Sequence, residues 1–183
     1  MDRGVFRAGS GAPPAPALLY PSPVTATPQR EAYRRAIGQF TTGVTIVTAR
    51  GPREPLGTTA NAVSSLSLDP ILLIVCLDLG SRTLGAVRET RQLAVNVLAR
   101  HQEPLAVSFA SKAPGAEKFR GVAYHEEHGV PVLEGVVAWF TGRVTSLVPG
   151  GDHEIAVTEV LEMGSEGGDP LVFHAGAYRS LAD

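Results

Sequence analysis

The sequence predicts a mainly-β fold with short helices, an antiparallel barrel whose ends the helices plug. Three observations predict it. Short β-branched or apolar runs recur at 43–49, 56–63, 71–78, 93–98, 136–147, 154–163 and 171–174. Helical spacing is confined to brief stretches around and between them. The order shows no regular βαβα alternation, which argues against a doubly wound parallel sheet and for an antiparallel barrel.

Taken in order, residues 1–27 form a proline-rich leader. Pro13, Pro14, Pro16, Pro21 and Pro23 crowd it, so it is expected to hold no helix. The folded domain is expected over 28–183. A helix begins at Thr27-Pro28, the first residue suited to an N-cap and the second to the first helical turn. Tyr33, Ala36, Ile37 and Phe40 share one of its faces, and Thr41-Thr42-Gly43 stops it. Gly51-Pro52-Arg53-Glu54-Pro55 reads as a turn between strands. The run Ile71–Leu77 is apolar at every position and is expected to be a central strand, buried on both faces. A short helix fits 82–90 and another 101–111, with Leu105 and Phe109 inward. The stretch 112–131 is polar and reads as loop.

Composition narrows the function. The chain has 183 residues, 44% hydrophobic and 19% charged, with a formal net charge of -2, as expected of one ordinary globular domain. That charge offers no basic surface for nucleic acid. A single cysteine, Cys76, excludes an internal disulfide and fits a reducing compartment. No apolar run approaches the ~20 residues of a membrane span, and prolines interrupt any signal-peptide core. A cytoplasmic protein without nucleic-acid or membrane partners is expected.

Several chemistries lack their motifs. Neither G-x-G-x-x-G after a strand nor G-x-x-x-x-G-K-[ST] is present, and there is no G-x-S-x-G elbow. His125-Glu126-Glu127-His128 is not H-E-x-x-H, so solvated histidines and no metal are expected there. Cys76, inside an apolar strand, is expected to be inert packing.

Three segments remain that suit an anionic, planar ligand. The hydroxyl- and amide-rich run from Thr58 through Thr59, Ala60, Asn61 and Ala62 to Ser65 and Leu66 leaves backbone groups accessible, and Asn61 offers donor and acceptor together. It also reads as a plain strand-to-loop passage. Ser81, Arg82 and Thr83 open a helix after a buried strand, where free N–H groups and a fixed cation favour phosphate; an ordinary capped helix gives the same pattern. Gly150-Gly151-Asp152-His153 places an imidazole at a tight turn before a strand, as a simple hairpin also would. Phe109, Ala110 and Lys112, with Gly176 and Tyr178, complete the candidate wall.

Six stretches together resemble the short-chain flavin reductase family, the small reductase components of two-component flavin-dependent monooxygenases. They are Phe40–Thr48, Gly57–Ala62, Ser65–Pro70, Leu93–Leu98, Gly151-Asp152-His153 and Gly176-Ala177-Tyr178, in the family's order over about 30–181. The resemblance implies an FMN-binding split β-barrel, usually a homodimer, that uses NADH or NADPH to reduce FMN or FAD for a partner monooxygenase. It also implies that Thr58, Thr59, Ala60, Asn61, Ala62, Ser65 and Leu66 contact the flavin ring and ribityl chain. Ser81, Arg82 and Thr83 match the phosphate side, and Phe109, Ala110 and Lys112 a further flavin contact. His153 matches a histidine beside the nicotinamide, where it would position that ring, with Gly176 and Tyr178 near the same cofactor. Thr58 stands where the family often has methionine, and the leader is not part of the pattern. Two other readings stay open at this point: a flavoprotein whose tightly bound FMN acts directly on an organic substrate, and a non-enzymatic flavin- or haem-related binding module.

Overall fold

The computed structural model describes residues 27–181; the proline-rich leader lies outside them except for Thr27. In chain order the elements are α1 (Thr27–Ile37), β1 (Thr42–Gly43), β2 (Thr45–Arg50), β3 (Pro55–Ala60), β4 (Val63–Leu68), β5 (Ile71–Asp78), α2 (Arg82–Thr90) and β6 (Gln92–Val97). A 3₁₀ turn (Arg100–Gln102) leads into α3 (Glu103–Ala110), followed by α4 (Gly115–Lys118), β7 (Tyr124–Glu127), β8 (Val130–Leu133), β9 (Ala138–Gly150), β10 (His153–Ser165), β11 (Val172–His174) and β12 (Ala177–Arg179).

Seven strands make one antiparallel sheet in the order β3-β2-β6-β9-β10-β5-β4, and it curls so that β3 also contacts β5. The mainly-β antiparallel barrel expected from the sequence is what forms. The hydrophobic residues divide into two clusters. Val47, Leu73, Val75, Leu77, Leu84, Val87 and Val95 fill the barrel beneath α2. Val44, Ile46, Leu98, Phe109, Phe119 and Leu171 pack beneath α3.

The strand buried on both faces is β2, not β5. Five successive β2 residues, Thr45 to Ala49, are buried, because alternate side chains enter the two clusters. The β2 hydroxyls are accommodated by hydrogen bonds: Thr45 Oγ1 donates to Ala60 O at 2.5 Å and Thr48 Oγ1 to Pro131 O at 2.5 Å. Asn96 of β6 donates to Ile46 O at 3.0 Å and to Thr48 Oγ1 at 3.2 Å, and accepts from Leu133 N–H at 2.8 Å. In β5, by contrast, only Leu73, Val75 and Leu77 are buried. Its other face, with Leu72, Ile74 and Cys76, is only half-buried. Burial pushes the Cys76 thiol up, which favours its protonated form.

Other boundaries also move. The polar stretch 112–131 is not loop throughout: it holds α4, β7 and the start of β8. Ser65 and Leu66 belong to a strand, β4, which a bulge between Ser65 and Ser67 fits against β5. The α1 face that reads as core is exposed, with Tyr33 67% and Phe40 71% accessible. His125 and His128 lie at the surface on the β7–β8 hairpin, where His128 Nε2 is 3.2 Å from Glu162 Oε2 and 3.7 Å from Glu127 Oε1. Glu162 comes from β10, a neighbour no local spacing reveals, whereas His125 Nδ1 sits 2.8 Å from Glu134 Oε1.

Candidate active site

The site lies at the end of the barrel where β5 gives way to α2. A cavity of about 580 Å³ opens there, within the usual range for small-ligand pockets. Its walls are Leu56, Gly57 and Thr58 from β3, Asp78 through Thr83 save Leu79 from the β5–α2 corner, and Ala110 through Ala113, Gly115 and Lys118 after α3.

Local chemistry explains each wall. Gly57 has to be glycine, because an added Cβ would stand 2.6 Å from Phe109 Cε1. At the corner, Asp78 Oδ1 accepts from Gly80 N–H at 2.7 Å, turning the chain into α2. Ser81 holds the N-cap position, but its hydroxyl does not cap the helix, so it stays available. Thr83 is only 2% exposed and lines the cavity, and its hydroxyl has no partner among the described residues. Arg82 Nη2 donates to Lys112 O at 3.0 Å and also to Ala113 O, tying the loop after α3 to the helix.

The part of the third wall that α4 supplies has no counterpart among the residues the sequence singles out. Glu54 accepts from Gly115 N–H at 3.1 Å and Ala116 N–H at 2.7 Å, anchoring the start of α4. Gly115 allows the close approach, since a Cβ there would meet Pro55 O at 2.3 Å. Seated this way, α4 directs Lys118 inward, where it is 7% exposed. Its Nζ donates to Phe109 O at 2.8 Å and Gly57 O at 3.2 Å, and lies 6.0 Å from the Phe109 ring centroid. Burial, and secondarily the Arg82 charge, holds its ammonium below the ordinary lysine range.

Of the residues singled out in the sequence, Thr58, Ser81, Arg82, Thr83, Ala110 and Lys112 come together on this cavity. His153 opens β10 directly opposite Asp78 of β5, at the rim. Its Nδ1 sits 2.7 Å from Asp152 Oδ1, and that contact holds the Asp152 carboxyl below the usual range. Leu79 N–H donates to Asp152 O at 3.0 Å, fixing the Gly151–Asp152 turn to the corner. The remaining residues lie elsewhere in this single chain. Thr59 Oγ1 donates to Ala106 O at 2.6 Å, pinning β3 to α3. Ala60 closes β3, Asn61 and Ala62 form the exposed passage to β4, and Ser65 and Leu66 are exposed on β4. The Phe109 ring is fully buried in the second cluster, edge-on to Phe119 at 5.0 Å. Gly176 and Tyr178 lie on a separate three-stranded sheet, β1-β11-β12, with Tyr178 5.4 Å from Phe173.

The family model described as the flavin reductase like domain matches residues 37–182. The chain belongs to the flavin reductase-like family. Among relatives of this family, the reductase component of 4-nitrophenol 4-monooxygenase/4-nitrocatechol 2-monooxygenase from Rhodococcus opacus is 41% identical over 147 residues, covering 80% of this chain and 78% of that protein. An NADH-dependent flavin reductase from a Rhodococcus species is 38% identical, covering 81% and 84%. Among solved structures, the NADH:FAD oxidoreductase of Streptomyces globisporus C-1027 superposes with a TM-score of 0.80 at 34% identity, covering 90% of this chain and all of that one. The family and the split-barrel architecture implied by the sequence resemblance are therefore met.

Proposed function

We propose that this flavin reductase-like protein uses NADH or NADPH to reduce FMN or FAD and supplies the reduced flavin to a flavin-dependent monooxygenase. The observation that carries the reading is the cavity itself: a helix N-terminus with available Ser81 and Thr83 hydroxyls and three cations, Arg82, Lys112 and Lys118. Its one carboxylate, Asp78, pairs with none of them among the described residues. Such a donor set fits the phosphorylated tail of a flavin nucleotide. Relatives described as NADH-dependent flavin reductase and as a monooxygenase reductase component support both the reaction and the kind of partner.

Bound flavin and reduced nicotinamide supply the redox chemistry, a hydride passing from the dihydropyridine C4 to the flavin N5. The protein's part is placement. Thr58, Ala110 and Lys112 line the flavin cavity, while Ser81, Arg82 and Thr83 take the phosphate side. His153, oriented by Asp152 through Nδ1, leaves Nε2 to position the nicotinamide at the rim.

Asn61, Ala62, Ser65 and Leu66, with Thr59, Ala60 and Phe109 behind them, complete the flavin wall in a homodimer, and Gly176 and Tyr178 serve the nicotinamide. The homodimer is supported by the apolar side chains left on one side of the chain, Leu66, Leu68 and Ile71, with Leu68 86% exposed. The reductase domain begins near residue 28, and a reducing, cytoplasmic setting fits the lone thiol. The decisive assay is oxidation of NADH and of NADPH, each with FMN, FAD and riboflavin, followed by loss of reduced-nicotinamide absorbance. Turnover with added flavin is the expected result. Absence of turnover, or a tightly held flavin that does not turn over with bulk NAD(P)H, would overturn the reading.

A further inference from the structure

One imidazole and two carboxylates converge where the β7–β8 hairpin meets β10. Glu127 ends β7, His128 opens the turn after it, and Glu162 lies on β10. The nitrogen and one oxygen from each carboxylate all lie within 4.8 Å of one another. His128 Nε2 is 3.2 Å from Glu162 Oε2 and 3.7 Å from Glu127 Oε1. Ligand atoms held tetrahedrally by zinc at its usual ~2.0–2.1 Å bond length stand about 3.3–3.4 Å apart. Small side-chain adjustments would therefore seat the ion.

Two departures from regular strand geometry bring these side chains together. Successive residues of a strand point to opposite faces, which would separate Glu127 from His128. His128 instead has a φ of 49°, in the left-handed region, and Gly129 after it a φ of 75°. The chain turns there, and imidazole and carboxylate meet. On β10 the register shifts between Val160 and Glu162, which pair with Gly142 and Thr141 of β9. A bulge of this kind re-aims the side chains beside it, and Glu162 is the one that reaches the hairpin.

Charge points the same way. Glu126, Glu154 and Glu159 each meet an arginine. Glu127 and Glu162 have no lysine or arginine partner among the described residues, and share His128 alone. An imidazole brings at most one positive charge to two carboxylates, whereas a divalent cation balances both.

We infer that Glu127, His128 and Glu162 form a binding site for a divalent transition-metal ion, zinc being the best match to one imidazole nitrogen and two carboxylate oxygens, with water completing the shell. Local spacing supplies two of the ligands and the fold supplies the third. None of the three lines the cavity, so the ion's effect is on stability: it joins the β7–β8 hairpin to β10.

Zinc titration of the chelator-treated full chain by calorimetry, with thermal unfolding in zinc or in EDTA, tests it. One zinc per chain is expected to bind. Zinc at about a hundredfold above its dissociation constant should raise Tm by about 5–10 °C. Glu162→Gln and His128→Asn should each weaken binding by at least about tenfold and remove the Tm rise. Asparagine tolerates the left-handed backbone, so His128→Asn keeps the turn. His125→Asn, on the same hairpin but paired with Glu134, should bind zinc as the wild type does. Oxidation of NADH with added flavin should be unchanged in all three variants. Should Glu162→Gln or His128→Asn fail to fold, Glu127→Gln takes its place under the same criterion. A wild type that binds no zinc, or binding that survives Glu162→Gln and His128→Asn undiminished, overturns the assignment. So does binding that is lost in His125→Asn and kept in the other two.

Discussion

The two halves of one hydroxyl-rich stretch meet opposite fates. Gly57 and Thr58, at its start, lie on the cavity wall in β3, packed against Phe109 and joined by hydrogen bonds to β2 and Lys118. Asn61, Ala62, Ser64, Ser65, Leu66 and Leu68, only a few residues on, are exposed on the passage to and along β4, the edge of the seven-stranded sheet. The residue types hardly change between the halves; their neighbours do. The inner half has a second layer, α3 and α4, over it. The outer half has β5 on one side and no strand among the described residues on the other, which leaves polar and large apolar side chains together at the surface. A wall of that composition suits completion by a second copy.

The largest expected effect comes from breaking the outer half. Leu66→Asp with Leu68→Asp should turn the proposed dimer into a monomer by sedimentation and lower flavin affinity by about a hundredfold, the work of several lost contacts. A variant that remains dimeric, or a monomer that binds flavin normally, removes β4 from the site.

A smaller effect sharpens the same point at one side chain. Asn61→Leu leaves polar ring atoms unpaired, a loss of about 1–3 kcal/mol in flavin binding read by titration. Unaltered affinity would mean that Asn61 does not reach the ligand.

On the inner half, Gly57→Ala forces a Cβ to within 2.6 Å of the Phe109 ring. Overpacking of this kind destabilises by about 1–3 kcal/mol, or a fall in Tm of about 2–4 °C per kcal/mol for a domain of this size. An unchanged Tm would show that α3 yields easily and that the inner half is less firmly built than its packing indicates.

The smallest expected effect is at the rim. His153→Ala should raise the nicotinamide KM and lower turnover by about three- to tenfold, with flavin affinity nearly unchanged, because it removes a positioning group and no part of the flavin cavity. Stopped-flow reduction at the wild-type rate would place the nicotinamide elsewhere.

Elements with their own signals were legible in the sequence. The α2 helix over 82–90, the strand through Asn96 and the Gly151–Asp152 turn that presents His153 all fall where residue chemistry put them. So does the grouping of Thr58, Ser81, Arg82, Thr83, Ala110 and Lys112, which the family resemblance implied and the cavity assembles. Other features depend on distant partners. An all-apolar run gives the same pattern in a central strand and in one with a half-covered face, so β5 was misplaced and the doubly buried β2, with its threonines, was passed over. The β4 segment Val63-Ser64-Ser65-Leu66-Ser67-Leu68 becomes a strand because β5 supplies its hydrogen bonds.

The sequence alone determined the β-rich class, the family and six of the cavity's lining residues, because periodicity, turn chemistry and short motifs are local properties of the chain. Only the tertiary structure decided that Lys118 is buried and that half of the hydroxyl-rich run is exposed. Burial and charge pairing are set by whatever lies across the fold. For Lys118 that neighbour is a turn some sixty residues earlier, where Glu54 anchors α4 and Gly115 allows its backbone to close in.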